Sequence, residues 1–280
     1  MIEQAFLIDC DGTPMTAILA MPPEPASVGV VIVVGGPQTR VGSHRQFVLL
    51  ARALAAAGVP CLRFDYRGMG DSSGEQRDFE RVADDIGAAV ASLRTRVPSI
   101  KHVVLWGLCD GATASAFYAA ENAGVSGLVM LNPWVRTTTG EAAALVSNYY
   151  GKRFMSADFW RKLLSGEMDL LGRLREFVAN WRSARARNVS ESGPSNSLPD
   201  RLGVSLARFG KPILLITSGN DFTAAEFLRA AESGYLSKGL ARCQITRHAI
   251  EAANHTFSSA AWRAEVENAT SGWLNANFPD

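Results

Sequence analysis

The sequence predicts an α/β fold: a mostly parallel sheet, opened by an antiparallel N-terminal hairpin and interrupted by an inserted helical cap. Three observations carry that expectation. Short, nearly continuous runs of β-branched and other apolar residues read as strands buried on both faces, as in a parallel sheet. Segments with apolar residues at helical spacing alternate with those runs. The alternation stops after Pro133 and resumes near residue 207.

Residues 4–10 and 13–20 mix apolar and β-prone side chains around Asp11-Gly12, a strong turn signal, and pair as the opening hairpin. Residues 29–34 form the first central strand. Phe47, Leu50, Ala51 and Leu54 then recur at helical spacing, closed by Gly58. A strand follows at 59–65, and Val82, Ile86, Val90 and Leu93 mark the next helix, which ends before Pro98. Residues 102–106 are a third buried strand, an alanine-rich helix starts at about residue 111, and 125–131 are a fourth strand. Strands alternating with helices imply right-handed crossovers and an open parallel sheet. From Pro133 to about Leu206 the pattern is helical, without a strand; nine Lys or Arg stand against five Asp or Glu within 151–191, and the polar stretch 190–200 reads as a loop. A strand at 213–217, a helix around 223–232, a strand near 243–249 and a final helix from about 259 to 275 complete the core. The organisation is therefore core 1–133, helical cap 134–206 and core 207–280.

Composition narrows the function classes. With 47% hydrophobic and 20% charged residues among 280, there is ample apolar surface to offset chain entropy, which excludes disorder for the bulk of the chain. Twenty-eight Lys or Arg against 27 Asp or Glu leave +1, without the basic excess of a nucleic-acid binder. Cysteines 10, 61, 109 and 243 form no CxxC pair, which argues against a zinc site or a disulfide framework and suits a reducing compartment. The start MIEQAFLIDCDG lacks the features of a secretory signal, and no apolar run is long enough to cross a bilayer. The expected location is the cytoplasm, with no membrane insertion.

The chemistry concentrates in Gly107-Leu-Cys-Asp-Gly111, set between a buried strand and a small-residue helix. This is the cysteine form of the G-x-S-x-G nucleophile elbow. A sharp strand-to-helix turn holds the nucleophile in a strained conformation, and the flanking glycines remove side chains that would clash. The following helix points its positive end at the thiol and favours thiolate. The competing reading of Cys109 is a buried core cysteine, the usual fate of a free thiol. A thiol nucleophile needs a base, and the base an orienting acid. Asp221 follows the strand at 213–217 and His255 follows the strand ending near 249, so both fall at the sheet's C-terminal edge. His102 begins a strand at the opposite edge, and His248 lies inside a strand.

An oxyanion hole would take one backbone N–H from Asp110 and a second from the loop Gly35-Gly-Pro-Gln-Thr-Arg-Val-Gly42. In the simplest register the second donor is Pro37, which has no N–H, so Gln38 is expected to donate instead. Arg40, His44 and Arg45 near the pocket mouth are candidates for binding a substrate carboxylate or phosphate; solvated surface charge is the plainer reading. In the loop FDYRGMGDSSG at 64–74 the glycine spacing departs from the dinucleotide fingerprint, so Asp65 and Arg67 are expected to pin it. No cofactor and no metal are expected.

Taken together, GGPQTRVGSHRQF, RFDYRGMGDSSGE, GLCDG, SGNDFTA and NHTFS resemble the α/β-hydrolase superfamily and, within it, the exosortase A system-associated hydrolases of bacteria, relatives of serine-aminopeptidase-like esterases. The resemblance covers nearly the whole chain outside the cap. It implies the α/β-hydrolase fold, with Cys109 as nucleophile, Asp221 as acid and His255 as base, in the chain order usual for that fold. Cysteine replaces the usual serine, and Gly35-Gly-Pro replaces His-Gly-x. The expected activity is hydrolysis of an ester or acyl thioester through an acyl-cysteine, with a small-molecule acyl substrate as partner. An acyltransferase using the same intermediate and a non-catalytic accessory protein of the same fold are the rival readings. Natural substrate, acceptor and oligomeric state stay open.

Overall fold

Asp11 and Gly12 both take positive φ, 51° and 75°, as a two-residue turn matched to strand twist requires. They join β1 (Ile2–Cys10) to β2 (Thr13–Met21), antiparallel with Cys10 opposite Thr13. The computed structural model describes residues 1–36, 38–135 and 197–279. Beyond the hairpin the chain runs through β3 (Val28–Val33), α1 (Gln46–Ala56), β4 (Cys61–Phe64), α2 (Ala83–Arg96), β5 (His102–Leu108), α3 (Asp110–Glu121) and β6 (Val125–Leu131). It resumes with α4 (Leu198–Phe209), β7 (Ile213–Asn220), α5 (Phe222–Ala230), α6 (Gly234–Leu240), β8 (Ile245–Asn254) and α7 (Ala260–Asn277).

The eight strands form one sheet in the order β1-β2-β4-β3-β5-β6-β7-β8. The β1/β2 and β2/β4 pairs are antiparallel, and every pair from β4 to β8 is parallel. This is the mostly parallel sheet with an antiparallel hairpin that the sequence pattern predicts. All six residues of β3 are buried, as its run of β-branched residues, interrupted only by Gly29, requires. Trp106 on β5 meets Phe47 of α1 edge-to-face at 5.7 Å and donates its indole N–H to Thr270 of α7, so both helices dock on one residue of the sheet. Among the described residues no helix is long and apolar enough to cross a membrane.

The chain divides into two units, Met1–Val135 with Pro199–Asp280, and Arg136–Leu198. Residues 136–196 of the expected cap lie outside the described residues. Two expectations change. Residues 198–200, read as the end of a loop, open α4, which buries Leu202, Leu206 and Phe209. The short helix α6 was not legible in its glycine-containing sequence and is held by burial of Leu236 and Leu240 rather than by propensity.

The loop at 64–74 is pinned from two sides. Asp85, with no exposed surface, accepts from the backbone N–H, Nε and Nη2 of Arg67 at 2.9, 3.1 and 2.9 Å. Asp65, equally buried, accepts from the backbone N–H groups of Arg40 and Asp71 and pairs with the Arg40 guanidinium. Removing one member of a buried pair leaves the other charge uncompensated. Asp85→Ala is therefore expected to lower the unfolding free energy by about 3–5 kcal/mol in urea titration. A loss near zero would show that water or a neighbouring acid replaces the carboxylate.

Candidate active site

Strand β5 ends at Leu108 and helix α3 starts at Asp110, so the turn between them is made by Cys109. Its backbone sits at φ 60°, ψ −127°, a conformation costing an L-residue on the order of 1–3 kcal/mol. The surroundings over-determine it. The Cys109 N–H donates to the Leu131 carbonyl at 2.9 Å, and the Cys109 carbonyl accepts from Ala112, Thr113 and Trp134 at 3.1, 3.4 and 3.2 Å. A Cβ on Gly107 would lie 2.5 Å from the Gly111 carbonyl, and one on Gly111 would lie 2.5 Å from the Val33 carbonyl oxygen. Both glycines are thus required for α3 to approach the sheet. Cys109 itself is partly exposed, at the positive end of α3, whereas Cys10 and Cys61 are buried and burial raises their thiol pKa values.

Asp221 stands between β7 and α5 as the cap of that helix. Its carboxylate accepts from the N–H groups of Thr223 and Ala224 at 3.3 and 3.0 Å, which holds it still. His255 follows directly on β8, and its Nδ1 lies 2.9 Å from Asp221 Oδ2. The carboxylate is 6% exposed and the imidazole 33%, so the pair is sheltered on the acid side and open on the ring side. The loop beneath the ring closes on itself: Asn254 bonds the hydroxyl and N–H of Ser258, and Phe257, buried, takes φ 49°.

The other expected residues divide. The side chain of Asp110 turns onto the oxyanion loop, its Oδ1 lying where a side chain on Gly35 would stand. That oxygen is buried without a hydrogen-bond partner among the described residues. Burial raises the Asp110 carboxyl pKa, opposed by the N–H groups of Gly36, Gly111 and Asp110 that face it and by the charge of His255. Gln38 does not present its N–H as expected: the group closes a turn onto the Gly35 carbonyl at 3.3 Å. The side chain is the working part instead, with Oε1 accepting from Ser43 N–H at 3.2 Å and from Gln46 Nε2 at 3.3 Å. Arg40 is also corrected: its guanidinium is spent on Asp65 and Asp71, so it is no free anion hook. His44 and Arg45 are exposed at positive φ, 53° and 60°; the Arg45 N–H donates to the Gly42 carbonyl at 3.2 Å, and neither side chain has a hydrogen-bond or ion-pair partner among the described residues. His102, beside Ser126, and His248, beside Glu265, lie in strands away from this edge, as expected.

Sequence reasoning missed Asn132. It is fully buried at φ 41°, directly after β6, and its side chain bonds both β7 and the His255 loop. An Asn-Pro pair at the end of a strand was the available signal. Among the described residues no group of three or more His, Cys, Asp or Glu side chains could hold a metal ion.

Comparison with known proteins agrees with the architecture. The model of the alpha/beta hydrolase family matches residues 30–269. A polyketide transferase from Penicillium, grgF, is 30% identical over 93 residues, a stretch that spans about a third (32%) of this chain and of that protein. Its solved structure superposes with a TM-score of 0.65 at 16% identity, covering 100% of both chains. The esterase Pf2001 of Pyrococcus furiosus superposes with a TM-score of 0.67 at 16% identity over 99% of this chain and 92% of that one. Est1E from Butyrivibrio proteoclasticus with ferulic acid bound gives 0.63 at 18% over 99% and 100%. With a family model spanning most of its length and the sheet order, elbow and acid–histidine pair in place, the chain belongs to the alpha/beta hydrolase family.

Proposed function

We propose that this hydrolase acts on esters or acyl thioesters through a Cys109–His255–Asp221 triad and a covalent acyl-cysteine. The observation that carries the reading is the His255–Asp221 pair at 2.9 Å, at the same sheet edge as a thiol held in an elbow. Asp221 fixes the ring orientation and stabilises the imidazolium. His255 takes the proton of Cys109, and the thiolate sulfur attacks the acyl carbon. The tetrahedral oxyanion collapses, the C–O or C–S bond to the leaving group breaks, and that group takes the proton from His255. Water, deprotonated by the same ring, then attacks the thioester and returns the thiol. Cysteine favours activated esters and thioesters over amides, because thiolate is itself a good leaving group and attack on an amide reverts unless the amine is protonated. The motifs shared with exosortase A system-associated hydrolases support placing the chain in that subfamily, in a cytoplasmic setting with a small-molecule acyl substrate.

The oxyanion hole needs a second donor. In this reading the Asp110 N–H, which faces its own carboxyl, turns to the oxyanion and supplies one arm. Gln38 N–H is turned to Gly35, and Gly36 N–H faces the Asp110 carboxyl, so in this reading the second arm requires one of these two N–H groups to exchange its present partner for the substrate oxygen. The side chains of His44 and Arg45, without partners among the described residues, are the substrate-binding candidates that remain for an anionic group. A second reading, acyl transfer to an organic acceptor, draws on the partial likeness to a protein named as a polyketide transferase.

Short-chain aryl esters should leave one acyl group on Cys109, read by intact mass. Cys109→Ala should lose that adduct and at least on the order of 10³-fold in turnover, and His255→Ala roughly 10²–10⁴-fold. Wild-type turnover in Cys109→Ala would overturn the nucleophile. Product partition between water and added alcohols or amines decides between hydrolysis and transfer.

Asp110 gives a pH test. Its folded carboxyl holds a proton more tightly than the unfolded one, so its contribution to stability is greatest below the ordinary value of 3.8 and is lost as pH rises through the raised folded value. Relative to Asp110→Asn, the wild-type denaturation midpoint should fall across that window. A difference that stays flat with pH would show the carboxyl to be unperturbed.

A further inference from the structure

Asn132 touches the segments that carry the proposed triad, although no role in the mechanism above falls to it. Its Oδ1 accepts from Ser218 N–H at 2.9 Å, and its backbone N–H donates to the Ile216 carbonyl at 3.1 Å, both on β7, the strand that delivers Asp221. Its Nδ2 donates to the carbonyl of His255 itself at 3.2 Å and to Ser218 Oγ. Its chain neighbours grip the nucleophile: Leu131 carbonyl accepts from Cys109 N–H, Trp134 N–H donates to the Cys109 carbonyl, and Thr113 Oγ1 donates to the Trp134 carbonyl at 2.7 Å.

From this we propose that Asn132 is a positioning residue, clamping the His255 loop against the end of β7 so that imidazole, carboxylate and elbow keep one register. The residue type follows from two demands. At φ 41° the backbone lies in the left-handed region, which Asn tolerates better than most side chains. The side chain must also accept from one segment and donate to another, which an amide does and a carboxylate does not. Ser218 and Asn132 are both buried, so water cannot replace the lost bonds. The clamp acts through His255, so its catalytic consequence rests on the triad proposed above. Its effect on ring placement does not.

Asn132→Gly keeps left-handed freedom while removing every side-chain bond. With an aryl ester it should lower kcat roughly tenfold, the equivalent of about one hydrogen bond, with KM unchanged. Independently, the ring C–H resonances of His255, assigned by their loss in His255→Asn, should move in Asn132→Gly while those of His102 and His248 stay in place. Wild-type kcat together with unmoved His255 resonances overturns the clamp. If Asn132→Gly does not fold, Asn132→Asp decides: it retains an acceptor for Ser218 N–H but no donor for the His255 carbonyl, so it too should lose kcat, and wild-type kcat in it overturns the proposal. A wild-type enzyme that never acylates Cys109 sinks the triad and leaves the ring resonances to judge the clamp alone.

Discussion

Everything at the candidate site depends on how closely helix α3 can approach strands β3 and β5. Gly107 and Gly111 are in backbone contact, and Gly111 also lies against the Val33 carbonyl, so no side chain fits between helix and sheet. That approach leaves one residue to complete a reversal of direction, and Cys109 takes the strain. The partly exposed thiol is thus a product of packing several residues away, in which the missing side chains matter as much as those present.

Polar contacts then fix the loops around that turn. Buried carboxylates at Asp65 and Asp85 each hold an arginine, together with two backbone N–H groups at Asp65 and one at Asp85, stiffening the loop after β4 and, through Arg40, the segment that follows β3. Gln38 braces that segment to the start of α1 through Ser43 and Gln46. Two successive left-handed residues, His44 and Arg45, sit where the braced segment enters the helix. Backbone strain therefore gathers at the elbow and where this segment enters α1, held there by fixed neighbours.

The strands, the hairpin turn and the elbow were legible because each rests on local chemistry: β-branched runs, Asp-Gly, and glycines flanking a cysteine. That Asp221 and His255 would meet at one sheet edge was legible because each follows a strand. What could not be read were engagements between distant segments. Arg40 looked free until Asp65 and Asp71, 25 and 31 residues away, came against it. The Gln38 N–H looked available until its turn closed on Gly35. Asn132 looked like a loop residue because its partners are 86 and 123 positions away. Local pattern names the reactive groups, whereas tertiary hydrogen bonding decides which polar groups remain at liberty.

The double duty of Asp221 has a consequence for how such a chain drifts over generations. One carboxylate both starts helix α5 and steadies the imidazole. A longer acid at that position would have to surrender one task to perform the other, and an acid recruited from elsewhere would leave the helix uncapped. Aspartate is therefore held at this spot by the helix it caps as well as by the imidazole it steadies.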